Sequence, residues 1–250
     1  MDRLNHRVVL VTGASRGIGA ATATLMASEG AAVVVNYNSN AEAAAQVVAG
    51  IEQAGGRALA IQANAADREA TDAMVRQAES VFGTIDTLVI NAGIQFPVVP
   101  FVEYPWEAFE TKVLSEMKAA FFASRAVIPG MIQRGGGCIV AISSGLSRTP
   151  GEGFCAHSAA KSGLDGLMKS LALELGPKNI RVNVVAPGLT LTDATSWLPE
   201  PMKEANARAT PMRRIGMPGD VAGAVLMLAS EDARFVTGAY IPVSGGRQML

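Results

Sequence analysis

The chain alternates short, almost wholly apolar runs with longer stretches of helical periodicity. Val8-Val9-Leu10-Val11, Ala31 to Val35, Ala58 to Ile61, Thr87 to Ile90, Ile139 to Ile142 and Val182 to Val185 lack the every-second-residue alternation of a half-exposed strand. That is the pattern of strands covered on both faces. Between them, Gly17 to Glu29, Asn40 to Ala54, Asp67 to Phe82, Pro105 to Gln133, Ala156 to Glu174 and Gly219 to Ala229 predict helices. Several stop at glycines that suit a helix C-terminus, namely Gly30, Gly55-Gly56 and Gly83. A last strand is predicted near Ala239 to Val243. Strands alternating with connections this long specify a parallel sheet, and right-handed crossovers put helices on both of its faces. The expectation is one α/β domain over residues 1–250, a Rossmann-like doubly wound sheet.

Leu189 to Thr210 breaks the pattern, being polar, interrupted by Pro199 and Pro201, and without a clean apolar face. A segment of that length inside a compact domain is more often a functional lid than a linker. Residues 189–210 are therefore expected to form a substrate lid, with Trp197 and Leu198 either touching a ligand or pinning the loop to the surface.

Composition narrows the partners. With 250 residues and 49% hydrophobic content, the chain can bury one large core. A net charge of -1 with 17% charged residues offers no basic field for nucleic acid. Met1 to Arg7 is polar and no apolar run nears the length of a membrane span, so no leader or membrane anchor is expected and the location expected is cytoplasmic. Two cysteines, Cys138 and Cys155, and two histidines, His6 and His157, give neither metal-ligand spacing nor a disulfide framework. A small-molecule substrate fits this balance.

Chemistry enters at Thr12-Gly13-Ala14-Ser15-Arg16-Gly17-Ile18-Gly19, which follows the first strand and opens the first helix. Such a turn presents backbone N–H groups to a phosphate. Gly13 allows the tight turn, Gly17 a close approach to pyrophosphate, and Gly19 close packing of helix on strand. An NAD site calls for a carboxylate at the end of the second strand, to accept from the ribose 2′-OH. That strand ends Val35-Asn36-Tyr37-Asn38-Ser39, where Asn36 is expected to meet the cofactor, and meets no acid before Glu42. Arg16 within the turn could pair with a 2′-phosphate, unless it is only a solvated surface arginine. NADP(H) is favoured over NAD(H).

These residues resemble the short-chain dehydrogenase/reductase family over nearly the whole length, particularly its ketoacyl-reductase-like branch. Thr12 to Gly19, with Ser15 and Ile18, is similar to the family's cofactor turn, and Asn91-Ala92-Gly93 to the N-A-G after its fourth strand. Asn64 falls where the family often has an aspartate beside the adenine. Pro187-Gly188, Thr190 and Thr192 lie in a stretch similar to the P-G-x-x-x-T that meets the nicotinamide, and Pro211 to Gly246 resembles the C-terminal region. The resemblance implies pyridine-nucleotide chemistry and a homotetramer paired through the helices at 105–133 and 156–175.

The family's catalytic pattern is a serine, a tyrosine thirteen residues on, a lysine four beyond, and an asparagine on the preceding long helix. Ser144 and Lys161 fall on that spacing, but His157 stands at the tyrosine position and Glu116 at the asparagine position. An imidazolium could supply the missing acid, since its unperturbed pKa of about 6.5 suits neutral pH. Lys161 would push the ring toward neutrality, and Glu116, if it points inward, toward the imidazolium. Turnover of NADPH is then expected to fall as pH rises past the imidazole pKa. Gln95, Phe96, Leu146, Phe154 and Cys155 are placed to line the substrate side.

Other readings stay open at this point. A lone histidine on a helix is often structural, and Glu116 could be solvated one turn away. A Glu116/His157 pair would also suit an isomerase, dehydratase or lyase on a retained fold, and a nucleotide-binding protein without catalysis is a third class. The leading expectation is an NADP(H)-dependent oxidoreductase acting on a C=O or C=N group, with Ser144, His157, Lys161 and Glu116 at the reacting centre and no metal.

Overall fold

A computed structural model describes residues 3–249; Met1, Asp2 and Leu250, at the ends of the expected domain, lie outside the described residues. Seven strands form one parallel sheet: β1 (Val8–Val11), β2 (Ala32–Tyr37), β3 (Arg57–Gln62), β4 (Thr87–Ile90), β5 (Gly137–Ile142), β6 (Ile180–Pro187) and β7 (Tyr240–Val243). Their order is β3-β2-β1-β4-β5-β6-β7. Because the order reverses between β1 and β4, the crevice beyond the C-terminal ends of those two strands is where such sheets bind ligands.

Alternate residues of each strand feed two cores. Leu10, Val34, Leu88, Ile139 and Val182 face Met74 of α3 (Arg68–Phe82), Val127 and Met131 of α4 (Trp106–Arg134) and Leu164 and Met168 of α5 (Cys155–Leu175). Val9, Val33, Val89, Val140 and Val185 face Met26 of α1 (Gly17–Ser28), Ile51 of α2 (Ala41–Gln53) and Val225 and Leu226 of α7 (Pro218–Ala229). Period-two pointing with apolar residues at both phases is why the runs read as continuously hydrophobic.

One element departs from expectation. Within 189–210 the chain forms a short 3-10 turn, Asp193–Thr195, and then α6 (Glu200–Ala209), none of whose residues is buried. Pro199 and Pro201 do not interrupt this helix; they start it. Pro199 is its N-cap and Pro201 lies in its first turn, where a missing N–H has no intrahelical partner to lose.

The glycine turn is built by close approach. Gly13 has φ +63°, and a Cβ on Gly19 would lie 2.4 Å from the Gly13 carbonyl and 2.5 Å from Asn91 Nδ2. Neither neighbour can give way without moving β1 against β4. Gly19→Ala is expected to lower the thermal unfolding midpoint by on the order of 5 °C. A scan superimposable on that of the unmodified protein would contradict this account of the turn.

Candidate active site

The turn after β1 is braced from two neighbouring strands. Asn91, just past β4, donates through Nδ2 to the carbonyls of Thr12 and Gly13 at 3.0 Å each, and the N–H groups of Asn91 and Ala92 donate to Thr12 Oγ1 at 2.9 and 3.1 Å. From β2, Asn36 Oδ1 accepts from the Gly13 N–H at 3.1 Å, while its Nδ2 donates to the Ala63 carbonyl at 3.0 Å. Asn36, expected to meet the cofactor, is 2% exposed and holds the turn from inside the fold. The exposed groups at that strand end are Asn38 and Ser39, with Arg16 exposed at the N-cap of α1.

Ser15, Gly17 and Ile18 are half-buried along the turn, and Ile18 packs on the core beneath it. Thr192 comes over the turn from the far side, its Cγ2 3.4 Å from where a Gly17 Cβ would stand. Behind it, Thr190 Oγ1 donates to the Gly188 carbonyl at 3.2 Å, and Gly188, after Pro187 at the end of β6, donates its N–H to Val243 at 3.0 Å. Asn64, exposed beyond β3, accepts from the Ala66 N–H at 3.0 Å.

Beside the turn lies a buried chain of charges. Glu116 of α4 is 4% exposed, so it points inward and is not solvated. One carboxylate oxygen, Oε1, accepts from Lys112 Nζ; the other lies 2.9 Å from Lys161 Nζ, a charge contact, since Lys161 directs a hydrogen bond of 2.9 Å to the Ile142 carbonyl at the end of β5. Burial alone would raise the Glu116 carboxyl, but Lys161 and then Lys112 outweigh it and hold the group well below the usual carboxylate range. Gly93 closes against this group: a Cβ there would lie 3.4 Å from Glu116 Oε1.

Lys112 went unrecognised in the sequence. Its signal was present, a lysine one helical turn before Glu116, on a helix whose apolar residues face the sheet. Its Nζ also donates to the Ile94 carbonyl at 3.0 Å and stands 4.5 Å from the centre of the Phe96 ring. Burial lowers its pKa against the opposing pull of Glu116.

His157, in the first turn of α5, stacks on Phe96 with ring centres 4.8 Å apart and planes 13° apart. Phe154 meets the same Phe96 ring edge-on at 6.0 Å. The ring's Nδ1 is buried and has no hydrogen-bond partner. Burial, then Lys161 and Lys112, push the imidazole down to about 3, with Glu116 opposing them. As expected, Lys161 pushes the ring toward neutrality and Glu116 pulls the other way; burial and the two lysines together outweigh the carboxylate. A loss of rate as pH rises through 6.5 is therefore not expected, because the ring is already neutral there.

Ser144 Oγ accepts from the Leu146 N–H at 3.2 Å, capping the turn Gly145–Ser147 and leaving its own proton to donate elsewhere. Tyr240 grips the same residue from behind, its hydroxyl donating to the Ser144 carbonyl at 3.1 Å. The structure thus groups Phe96, Phe154, His157, Lys161 and Glu116 on one side of the crevice. Leu146 and Cys155 are half-buried, Gln95 is exposed, and Trp197 stands 63% exposed, its indole N–H donating to Ala194 within its own loop at 2.9 Å. Among the described residues no cluster of three His, Cys, Asp or Glu side chains could hold a metal ion, and no helix is long and apolar enough to cross a membrane.

A doubly wound parallel sheet with a braced glycine turn at its switch point defines a Rossmann-like α/β protein. The family model described as enoyl-(acyl carrier protein) reductase matches residues 13–248. A 3-oxoacyl-[acyl-carrier-protein] reductase of Staphylococcus aureus is 38% identical over 96% of this chain and 97% of its own. Among solved structures, a Serratia marcescens short-chain dehydrogenase/reductase variant superposes with a TM-score of 0.92 at 36% identity, over 99% of this chain and 100% of that one. A 7α-hydroxysteroid dehydrogenase complexed with NADH and 7-oxo glycochenodeoxycholic acid superposes with a TM-score of 0.93 at 37% identity, over 98% and 95% of the two chains. The chain is an oxidoreductase belonging to the short-chain dehydrogenase/reductase family.

The electrostatics of His157 have a consequence for stability. Its pKa is about 3 when folded and about 6.5 when unfolded, so between those values the unfolded chain binds a proton that the folded one refuses. The contribution of the neutral ring is fully present above pH 6.5 and is lost as pH falls toward 3. Denaturant melts from pH 7 to pH 4 are expected to show the unmodified protein losing stability more steeply than His157→Phe, and parallel curves would contradict the assignment.

Proposed function

We propose that this oxidoreductase is NADP(H)-dependent and moves hydride to or from a C=O or C=N group of a small molecule, with Ser144, His157 and Lys161 around the reacting bond. The observation that carries the reading is the half-buried, unpaired His157 ring beside Lys161, at the spacing from Ser144 where a tyrosine was expected. The cofactor fits the residues present. A side chain at Gly17 would stand in the gap between the turn and Thr192, Arg16 is exposed there, and β2 ends without a carboxylate.

When bound, the cofactor would supply or accept hydride at its nicotinamide C4. The N–H groups of residues 13–19 would take the pyrophosphate, Arg16 the 2′-phosphate, and Asn91 to Gly93 with Pro187 to Thr192 the nicotinamide side. Lys161, oriented by Glu116 and the Ile142 carbonyl, would hold the ribose hydroxyls and lend positive field. The Ser144 hydroxyl would donate to the reacting oxygen or nitrogen. A neutral imidazole has one N–H and one lone pair. His157 would therefore hold the reacting oxygen or nitrogen as an uncharged hydrogen-bond donor, with the proton exchanged with solvent water.

Glu116, with both oxygens engaged by lysines, is poorly placed to serve as a free base, which weighs against an isomerase or lyase built on a Glu116/His157 pair. Assembly belongs to the same reading: Leu114 and Phe121 on α4 and Leu173 on α5 are exposed apolar residues suited to pairing with a second copy, as in the tetramer expected.

The test is NADPH oxidation with a panel of ketones, aldehydes and imines. Ser144→Ala, His157→Phe and Lys161→Ala are each expected to lower kcat/KM by roughly a hundredfold or more. Arg16→Ala should raise the KM for NADPH about tenfold and leave NADH unaffected. Product forming without a change in nicotinamide absorbance would replace the redox reading. Tight NADPH binding with no turnover, indifferent to all three site variants, would leave a silent nucleotide binder.

A further inference from the structure

Lys112 is among the largest fully buried side chains of the protein, 2% exposed, and it carries a charge. A buried ammonium is costly unless its protons find partners. Each partner it finds belongs to a different part of the site. Glu116 Oε1 accepts from it, and the other oxygen of that carboxylate holds Lys161. The Ile94 carbonyl, 3.0 Å away, opens the irregular stretch that follows Asn91-Ala92-Gly93. The Phe96 ring, 4.5 Å from Nζ, is the ring on which His157 is stacked.

We propose that Lys112 is a positioning residue of the active site, a single ammonium that orients Lys161 through Glu116 and His157 through Ile94 and Phe96. The proposal rests on the reading that His157 faces the reacting bond. A lysine that only fastened α4 to a loop would need one of these contacts. Here the cation is shared between the residue placed to hold the ribose and the residue placed at the substrate.

The charges that face His157 are few. Lys161 comes from its own helix, Lys112 and Glu116 come from α4, and the stretch from Asn91 to Pro100 contributes none. Two lysines and one carboxylate leave one net positive charge beside the ring. Lys112→Met leaves none, Glu116→Gln leaves two, and the double variant Lys112→Met/Glu116→Gln restores one. Position and charge therefore separate, since the double variant recovers the charge but not the hold on the 91–100 stretch.

The experiment is solution NMR of His157 in the intact protein and these three variants, with His157→Phe used to tell its signals from those of His6. At neutral pH the carbon-bound ring protons of His157 should be displaced by the Phe96 ring current. The displacement should shrink in Lys112→Met and in the double variant toward the value in Phe96→Leu. On acidification the His157 midpoint should be highest in Lys112→Met, by roughly one pH unit over the unmodified protein. It should be lowest in Glu116→Gln, with the double variant back near the start.

In turnover, Lys112→Met should lose kcat about tenfold and raise the KM for NADPH severalfold, since Lys161 is the residue placed on the ribose. If Lys112→Met does not fold, the double variant and Glu116→Gln carry the same test. An unchanged ring-current displacement, or midpoints that do not follow the charge order, overturns the proposal whatever the activity. The expected spectra together with full activity in His157→Phe would uphold the hold of Lys112 on His157 while removing the reaction proposed above.

Discussion

One buried carboxylate between two buried ammonium groups is the constraint on which the rest of the site depends. Glu116 cannot sit uncompensated among apolar side chains of α4, and neither can Lys112 or Lys161; each is tolerable because the others are there. Meeting that condition fixes α4 against α5 and against the carbonyls of Ile142 and Ile94, which belong to the C-terminal end of β5 and the stretch beyond β4. The geometry of the crevice is thus set by electrostatics as much as by packing. The same net positive charge, added to burial, keeps His157 neutral.

The scaffold is generic and the site is particular. Alternating strand faces build two cores, and reversal of strand order between β1 and β4 opens the crevice, as in the short-chain dehydrogenase/reductases that superpose on this chain. Beside the crevice, Lys112, Glu116, Lys161 and His157 form one connected set of charged and titratable side chains. A carboxylate at position 116 is held by both Lys161 and Lys112. Burial, with Lys161 and Lys112, keeps the imidazole of His157 neutral where it stacks on Phe96. Changing one member alone alters the charge felt by the others.

Much of this was legible in the sequence because its cause was local. Apolar runs such as Val8–Val11 and glycine stops such as Gly83 depend on burial and backbone freedom, which short windows report. His157 and Lys161, four residues apart on α5, fall on the same side of that helix, as their spacing implies. What escaped was non-local or ambiguous. Asn36 looked like a ligand for the cofactor because it ends β2, yet its partners, Gly13 and Ala63, lie on other segments. Pro199 and Pro201 carry the same residue signal whether they break a helix or begin one. Lys112 reads as a surface lysine until α4 is docked, and with it went one of the charges that, after burial and Lys161, keep the imidazole uncharged.

A neutral imidazole and a glutamate-bridged lysine are proposed to face the same reacting atoms. The most direct measurement is a crystal structure of the protein soaked with NADPH. It should place an edge of the His157 ring and the Ser144 hydroxyl toward the nicotinamide C4, with Lys161 Nζ within hydrogen-bond reach of the ribose while Glu116 still bridges it to Lys112. A His157 ring turned out of the dinucleotide crevice, or a Lys161 drawn away from Glu116 when the nucleotide binds, would contradict it.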